Sequence, residues 1–137
     1  MITFNYETPF SLKDELKTAS WIEHIVVSEG FVLGEISYVF CDDSFLNQIN
    51  KEFLKHDSLT DIISFDYCLG KQVNGEIYIS TERVIENAQL FHTSFENELS
   101  RVMIHGVLHY LGYKDKTTEE KKTMRLKENA CLIGLTS

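Results

Sequence analysis

Two histidines four residues apart, His105 and His109, stand in the stretch HGVLHYLGYKD that runs from His105 to Asp115. On an α-helix such positions lie one above the other, so the two imidazoles present nitrogens to one point, as a helix does when it holds a metal. Gly112 follows within a turn, where a glycine can take the left-handed conformation that ends a helix and turns the chain back. Asp115 is then placed to bring a carboxylate oxygen to the same point. Two nitrogens and one oxygen, with a fourth position left to water, form the catalytic pattern of zinc; structural zinc sites close with four protein ligands, mostly cysteines. A single histidine on an apolar helix is more often a core residue. The pair, the helix-ending glycine and the third ligand type at fixed spacing point instead to one bound divalent ion, zinc before others.

The third ligand is expected to be Asp115 rather than Tyr113, Lys114 or Asp57. Lysine is protonated at neutral pH and cannot coordinate, and Asp115 falls at the third-ligand position of the H-E-x-x-H-x-x-G-x-x-H metalloprotease spacing. Gly106 stands where that pattern has its catalytic glutamate, which removes the obvious base for peptide hydrolysis. Metal-bound histidines usually donate their other N–H to an oxygen. Glu98, two turns before His105 on the same helical face, and Asp61, at the start of a strand, are the candidates for catalytic base or for such an oxygen partner. Each also has a plainer explanation as a helix-terminal or strand-edge charge.

These residues must be carried by elements that the pattern of apolar positions outlines. Ile2 to Glu7 alternates as a half-buried strand, with Ile2, Phe4 and Tyr6 inward, and Pro9 punctuates it. Ser11 is the expected N-cap of a helix carrying Leu12, Leu16, Ala19 and Ile22 on one side, with Gly30 as its stop. A well-buried strand is expected from Phe31 to Phe40, then a short helix capped by Asp42 or Asp43 through Phe45, Ile49 and Phe53. His56 sits in the polar stretch beyond. Asp61 to Tyr67 and Glu76 to Ser80 are expected as antiparallel neighbours around a turn region from Leu69 to Gly75. Thr81 and Glu82 open a helix toward Phe91, and Ser94 with Asn97 and Glu98 opens the histidine helix. That helix is apolar on most sides through Leu99, Val102, Met103, Ile104, Val107, Leu108 and Leu111. It therefore belongs in the core, with Glu98, Arg101, His105 and His109 as its polar stripe. A last helix, capped by Thr117 or Thr118, runs through Met124, Leu126 and Leu132. The sum is an α+β fold of one domain over residues 1–137. A small mixed sheet of about four strands is covered by helices, with the metal site at the end of a buried helix.

The stretch HGVLHYLGYKD resembles the H-G-x-L-H-L-x-G-Y-D-H signature of the YbeY family of bacterial endoribonucleases and ribosomal-RNA maturation factors. Thr60 to Phe65, TDIISF, is similar to that family's T-D-V-L-S-F segment, and Gly75 to Ser80, GEIYIS, to its G-D-I-x-I-S strand. With the Glu98-Leu99 pair, the resemblance runs from about Ile49 to Asp115 in unbroken order. Asp115 replaces the usual final histidine. Leu54, after Phe53, stands where the family often carries an arginine that could stabilise phosphate charge. The resemblance implies a metal cleft between the sheet and the histidine helix. It also implies single-strand-specific endoribonuclease activity in ribosomal-RNA maturation and ribosome quality control, with the small ribosomal subunit or its assembly factors as partners.

A chain of 137 residues can bury one core, and no apolar run approaches the roughly 20 residues that cross a bilayer. The N-terminus lacks the basic and apolar regions of a signal peptide, so a cytoplasmic protein without membrane contact is expected. Cys41, Cys68 and Cys131 form no C-x-x-C pair and are expected to be reduced packing residues. The net charge of −8 opposes a nucleic-acid partner if taken alone. Six of the thirteen Lys and Arg residues, however, lie between Lys114 and Lys127: Lys114, Lys116, Lys121, Lys122, Arg125 and Lys127. They form either a basic flank beside the metal for RNA or a solvated helix face paired with Glu119, Glu120 and Glu128. Two other functions fit the same residues: a metal-stabilised ribosome-binding factor with little catalysis, and a metallo-hydrolase of peptides or esters.

Overall fold

Alternation of apolar and polar residues builds the strands of one sheet, seen in a computed structural model that describes residues 1–54 and 60–136. Strands β1 (Ile2–Tyr6), β2 (Val32–Cys41), β3 (Ile62–Asp66) and β4 (Gln72–Ser80) lie in the order β1-β2-β4-β3. β1 and β4 pair with β2 in parallel, and β3 pairs with β4 antiparallel, with Ser64 opposite Ile77. The connections require this. The parallel pairs are joined by long crossovers, whereas β3 and β4 are joined by a short turn. Ile36, Tyr38 and Phe40 of β2 and Ile77 and Ile79 of β4 are buried on one sheet face. Phe4 and Tyr6 of β1 stack on Tyr38 and Phe40 at ring-centroid distances of 5.8 and 5.6 Å.

Helices α1 (Glu15–Ser28), α4 (Phe95–Tyr110) and α5 (Thr118–Thr136) share the core on that face. α2 (Asp43–Ile49), followed by a π-helical turn over Asn50–Leu54, closes a smaller cluster of Cys41, Leu46 and Ile63. α3 (Thr81–Leu90) begins directly at the end of β4, with the Ser80 hydroxyl accepting from the Arg83 N–H as its cap. No helix among the described residues is long and apolar enough to cross a membrane. The mixed four-stranded sheet covered by helices is the expected α+β architecture. His56 and Asp57 lie outside the described residues, as does the side chain of Leu54.

Expectations for three elements need correction. α1 starts under Asp14, whose Oδ1 accepts from the Lys17 N–H at 3.0 Å, rather than under Ser11. Its buried face is Trp21, Ile22, Ile25 and Val26, and Leu16 is turned to solvent at 84% exposure. In α5 the buried positions are Met124, Glu128 and Cys131, and Leu126, 200° around the helix from Met124, is exposed. β4 begins at Gln72, four residues before Glu76, because Leu69 and Gln72 exchange backbone hydrogen bonds of 3.0 and 2.9 Å and close the turn early.

α4 is held on the sheet by more than apolar contact. The buried Tyr38 hydroxyl donates to the Met103 carbonyl at 2.9 Å, and the Tyr110 hydroxyl donates to the Phe65 carbonyl at 2.8 Å. Between them Gly106 lets the helix come close. A Cβ there would sit 3.1 Å from the side chains of Ile62 and Ile77. A glutamate at this position would therefore be driven into the core, which explains why the protease pattern fails at Gly106.

Candidate metal centre

The end of α4 is shaped to return the chain. Its last turn closes with the Tyr113 N–H on the Leu108 carbonyl at 3.0 Å and the Gly112 N–H on the His109 carbonyl at 3.1 Å. This is the Schellman pattern, and Gly112 supplies its left-handed residue at φ 101°. The reversal carries Asp115 back beside the helix. His105 Nε2 lies 3.0 Å from His109 Nε2, and Asp115 Oδ2 lies 3.2 Å from the first and 3.3 Å from the second.

Those three edges can be compared with what an ion requires. Bonds of about 2.0–2.1 Å at tetrahedral angles place ligand atoms about 3.3–3.4 Å apart. The triangle is a few tenths of an ångström tighter on two edges and matches on the third, so the donor set fits a zinc-sized ion with little movement. His105, His109 and Asp115 are all partly exposed and form a group that could hold a metal ion. Cys41, Cys68 and Cys131 are free thiols outside it, and burial pushes the Cys41 thiol up to about 12.

Behind the triangle stands a residue that the sequence offered only as an ion-pair partner on a solvated face, one of two alternatives. Glu128 is only 5% exposed, and its Oε2 lies 2.7 Å from His105 Nδ1. Its other oxygen accepts from Arg101 Nη1 at 2.9 Å, while Arg101 Nη2 donates to Asn129 Oδ1 at 2.8 Å. A carboxylate at Nδ1 holds the proton there and leaves the Nε2 lone pair facing the triangle. Burial alone would raise the Glu128 carboxyl, but the hydrogen bonds from His105 and Arg101 overcome it and hold it below the ordinary range. Burial opposes the charged form of His105, and the bond and charge of Glu128, with the charges of Asp115 and Asp61, more than offset it. The signal for Glu128 was in the sequence. It continues the apolar stripe of α5 at Met124 and Cys131, where a carboxylate needs a partner to be buried.

Beside the triangle lies a cleft of about 310 Å³. Asp61 lines it just before β3, Asn87 and Phe91 line it from α3 and its end, Glu98, Arg101 and His105 from α4, and Arg125 and Glu128 from α5. Both candidate carboxylates are thus in the cleft. Burial raises Asp61 above the usual carboxylate range, against the lowering effect of its own backbone N–H and of the His105 charge. Its Oδ2 accepts from Asn87 Nδ2 at 3.5 Å. Burial also raises Glu98, opposed by Arg101 and helped by Asp61. The oxygen bonded to His105 Nδ1 belongs to Glu128 rather than to either of them. The basic cluster divides. Lys127 donates to Glu29 at 2.8 Å, away from the cleft, and Arg125 faces the cleft. Lys114, Lys116, Lys121 and Lys122 are exposed.

Fold and centre together define a class: an α+β protein whose buried helix ends in a cradle of two histidines and an aspartate, backed by a buried glutamate. A family model described as Endoribonuclease YbeY matches residues 4–136. The Endoribonuclease YbeY of Flavobacterium psychrophilum is 54% identical over 129 residues, covering 94% of this chain and 92% of that one. That of Bacteroides thetaiotaomicron is 42% identical over 116 residues, 85% of each. The solution structure of TM1509 from Thermotoga maritima aligns with a TM-score of 0.71 at 27% identity, covering 98% of this chain and 89% of that one. The chain belongs to the YbeY endoribonuclease family.

Proposed function

We propose that this chain is a metal-dependent, single-strand-specific endoribonuclease that acts on ribosomal RNA in maturation and ribosome quality control. Residues 1–137 form its one catalytic domain, and one ion, zinc before others, is held by His105, His109 and Asp115. The observation that carries this reading is the convergence of His105 Nε2, His109 Nε2 and Asp115 Oδ2 within 3.3 Å of one another beside a cleft lined by Arg101 and Arg125. The names of its relatives supply RNA as the substrate class. Ribosomal RNA as substrate places the work in the cytoplasm, with the small ribosomal subunit or its assembly factors as partners.

A zinc-class ion supplies Lewis acidity, which polarises a phosphoryl oxygen and makes water more acidic. The chain's own residues do the rest. Glu128 fixes the His105 ring, and Arg101 neutralises Glu128. Of the two candidate carboxylates, Asp61 is the better placed to move a proton. It and His105 feel each other's charge, whereas the charges acting on Glu98 are those of Arg101, Asp61, Arg125 and Glu128. Glu98 also lies seven residues before His105, about 10 Å along the helix axis. A carboxyl raised by burial can hold a proton and deliver it to the departing oxygen as the phosphodiester bond breaks. Peptide hydrolysis is disfavoured, since Gly106 faces Ile62 and Ile77 and offers no base.

Metal-loaded chain incubated with ribosomal RNA and with a casein-type substrate, each with a chelator control, tests this. RNA cleavage that stops with chelator is expected. RNA binding without cleavage would leave a ribosome-binding factor, and cleavage of casein alone would make the protein a peptidase.

A further inference from the structure

Glu98 is 5% exposed and lines the cleft, yet its carboxylate accepts no hydrogen bond among the described residues. Its oxygens are not sealed from the cleft, so a ligand that brings N–H donors can reach them and offset the cost of burying the residue. Arg125, 57% exposed, pairs loosely through Nη1 with Glu128 Oε1 at 3.7 Å, and the remaining N–H groups of its guanidinium can contact a ligand. Phe91, 52% exposed, adds an aromatic ring to the same wall.

We propose that this part of the cleft reads a guanine base of the RNA strand next to the phosphate being cut. The inference rests on the endoribonuclease reading above and extends it to substrate choice. Among the four bases only guanine offers two parallel N–H donors, N1–H and the N2 amino group, which match the two oxygens of the Glu98 carboxylate. Its O6 and N7 are acceptors for the Arg125 guanidinium, the commonest pairing of arginine with a base. A single-stranded base has a free face to stack on Phe91. The distance agrees as well. Glu98 stands about 10 Å along α4 from His105, a span that one nucleotide can bridge.

The test uses the full chain in chelator, so that RNA is bound without being cut, and heptamers of uridine with one central substitution. Fluorescence anisotropy should show the guanosine heptamer binding at least about tenfold tighter than the adenosine or all-uridine ones. Inosine, which lacks the N2 amino group, and 7-deazaguanosine, which lacks N7, should each lose part of that preference. Glu98→Gln should bind guanosine and inosine alike, and Phe91→Ala should weaken all heptamers about tenfold. Equal affinity of the wild-type chain for guanosine, inosine and adenosine heptamers overturns the inference without reference to any variant's folding. If such a chain still cuts RNA when loaded with metal, the endoribonuclease reading stands and only base recognition falls. If it neither binds nor cuts RNA, both fall.

Discussion

Neighbouring residues of α5 enter two charged networks with opposite outcomes. Lys127 donates to Glu29 at 2.8 Å, the Tyr113 hydroxyl donates to the same carboxylate at 2.6 Å, and the lysine lies 5.9 Å over the Tyr113 ring. Each group there finds its partner within the network, although Lys127 and Glu29 stay partly exposed. Glu128, 100° further round the helix, also meets two donors, but one of them is a histidine whose second nitrogen is left facing two more ligand atoms. The first arrangement fastens α5 to the end of α1. The second fastens α5 to α4 and in doing so turns nitrogen lone pairs toward one point. A site differs from a staple in what remains unsatisfied after the network closes.

The largest effects should come from breaking the open network at its ligands. His105→Ala and His109→Ala should each lose metal binding by equilibrium dialysis while keeping the wild-type circular dichroism spectrum, since both side chains are partly exposed. Retention of one ion per chain in either variant contradicts the ligand assignment. Next in size is Glu128→Gln, which should weaken metal affinity by about 10- to 100-fold, the usual cost of losing a histidine's outer partner. Lys127→Met, one residue away, should leave affinity unchanged. Equal losses in the two variants would mean that both networks act only through stability.

The closed network should show itself in melting instead. Lys127→Met should lower Tm by about 3–5 °C, corresponding to about 1 kcal/mol for a partly exposed pair. Its hydrogen bonds from Lys127 and Tyr113 hold Glu29 below the ordinary carboxylate value. A carboxylate lowered in the folded state stabilises above its unfolded pKa and loses that contribution as pH falls through the folded value. The Tm gap between wild type and Lys127→Met should therefore persist from pH 7 to about 5 and shrink as pH falls below the ordinary glutamate value of about 4.3. A gap independent of pH would assign the loss to packing on Tyr113. The smallest effect concerns cations in neither network: Lys121→Glu with Lys122→Glu should weaken RNA binding and reduce its salt slope by about one per lost contact. An unchanged slope makes that face solvated only.

The ligand triangle was legible because its spacing is local: i, i+4, a helix-ending glycine and a residue three beyond involve eleven consecutive positions. The strands and helices were legible for the same reason, from alternation and from caps such as Asp42 and Ser94, whereas the strand order and the Ser80 cap were not. What escaped depends on contacts distant in sequence. Leu16 and Leu126 belong to the right helices but the wrong faces, because the true stripes are set by where Trp21 and Met124 meet the core. The Tyr110 hydroxyl reaching β3, and the notch at Gly75 that admits it, join residues 45 and 35 positions apart. Glu128 is 23 residues from His105, and its burial is visible in sequence only as a carboxylate in an apolar stripe.

The claim that the triangle holds the metal is tested most directly by X-ray absorption at the zinc edge of the loaded chain. Two imidazole nitrogens at about 2.0–2.1 Å and a carboxylate oxygen at about 2.0–2.2 Å are expected. In Asp115→His a third imidazole should replace the oxygen, and Asp115→Asn should lose most of the bound ion. A sulfur scatterer near 2.3 Å, which only a cysteine or methionine could supply, or a spectrum from Asp115→Asn identical to wild type, would contradict the account.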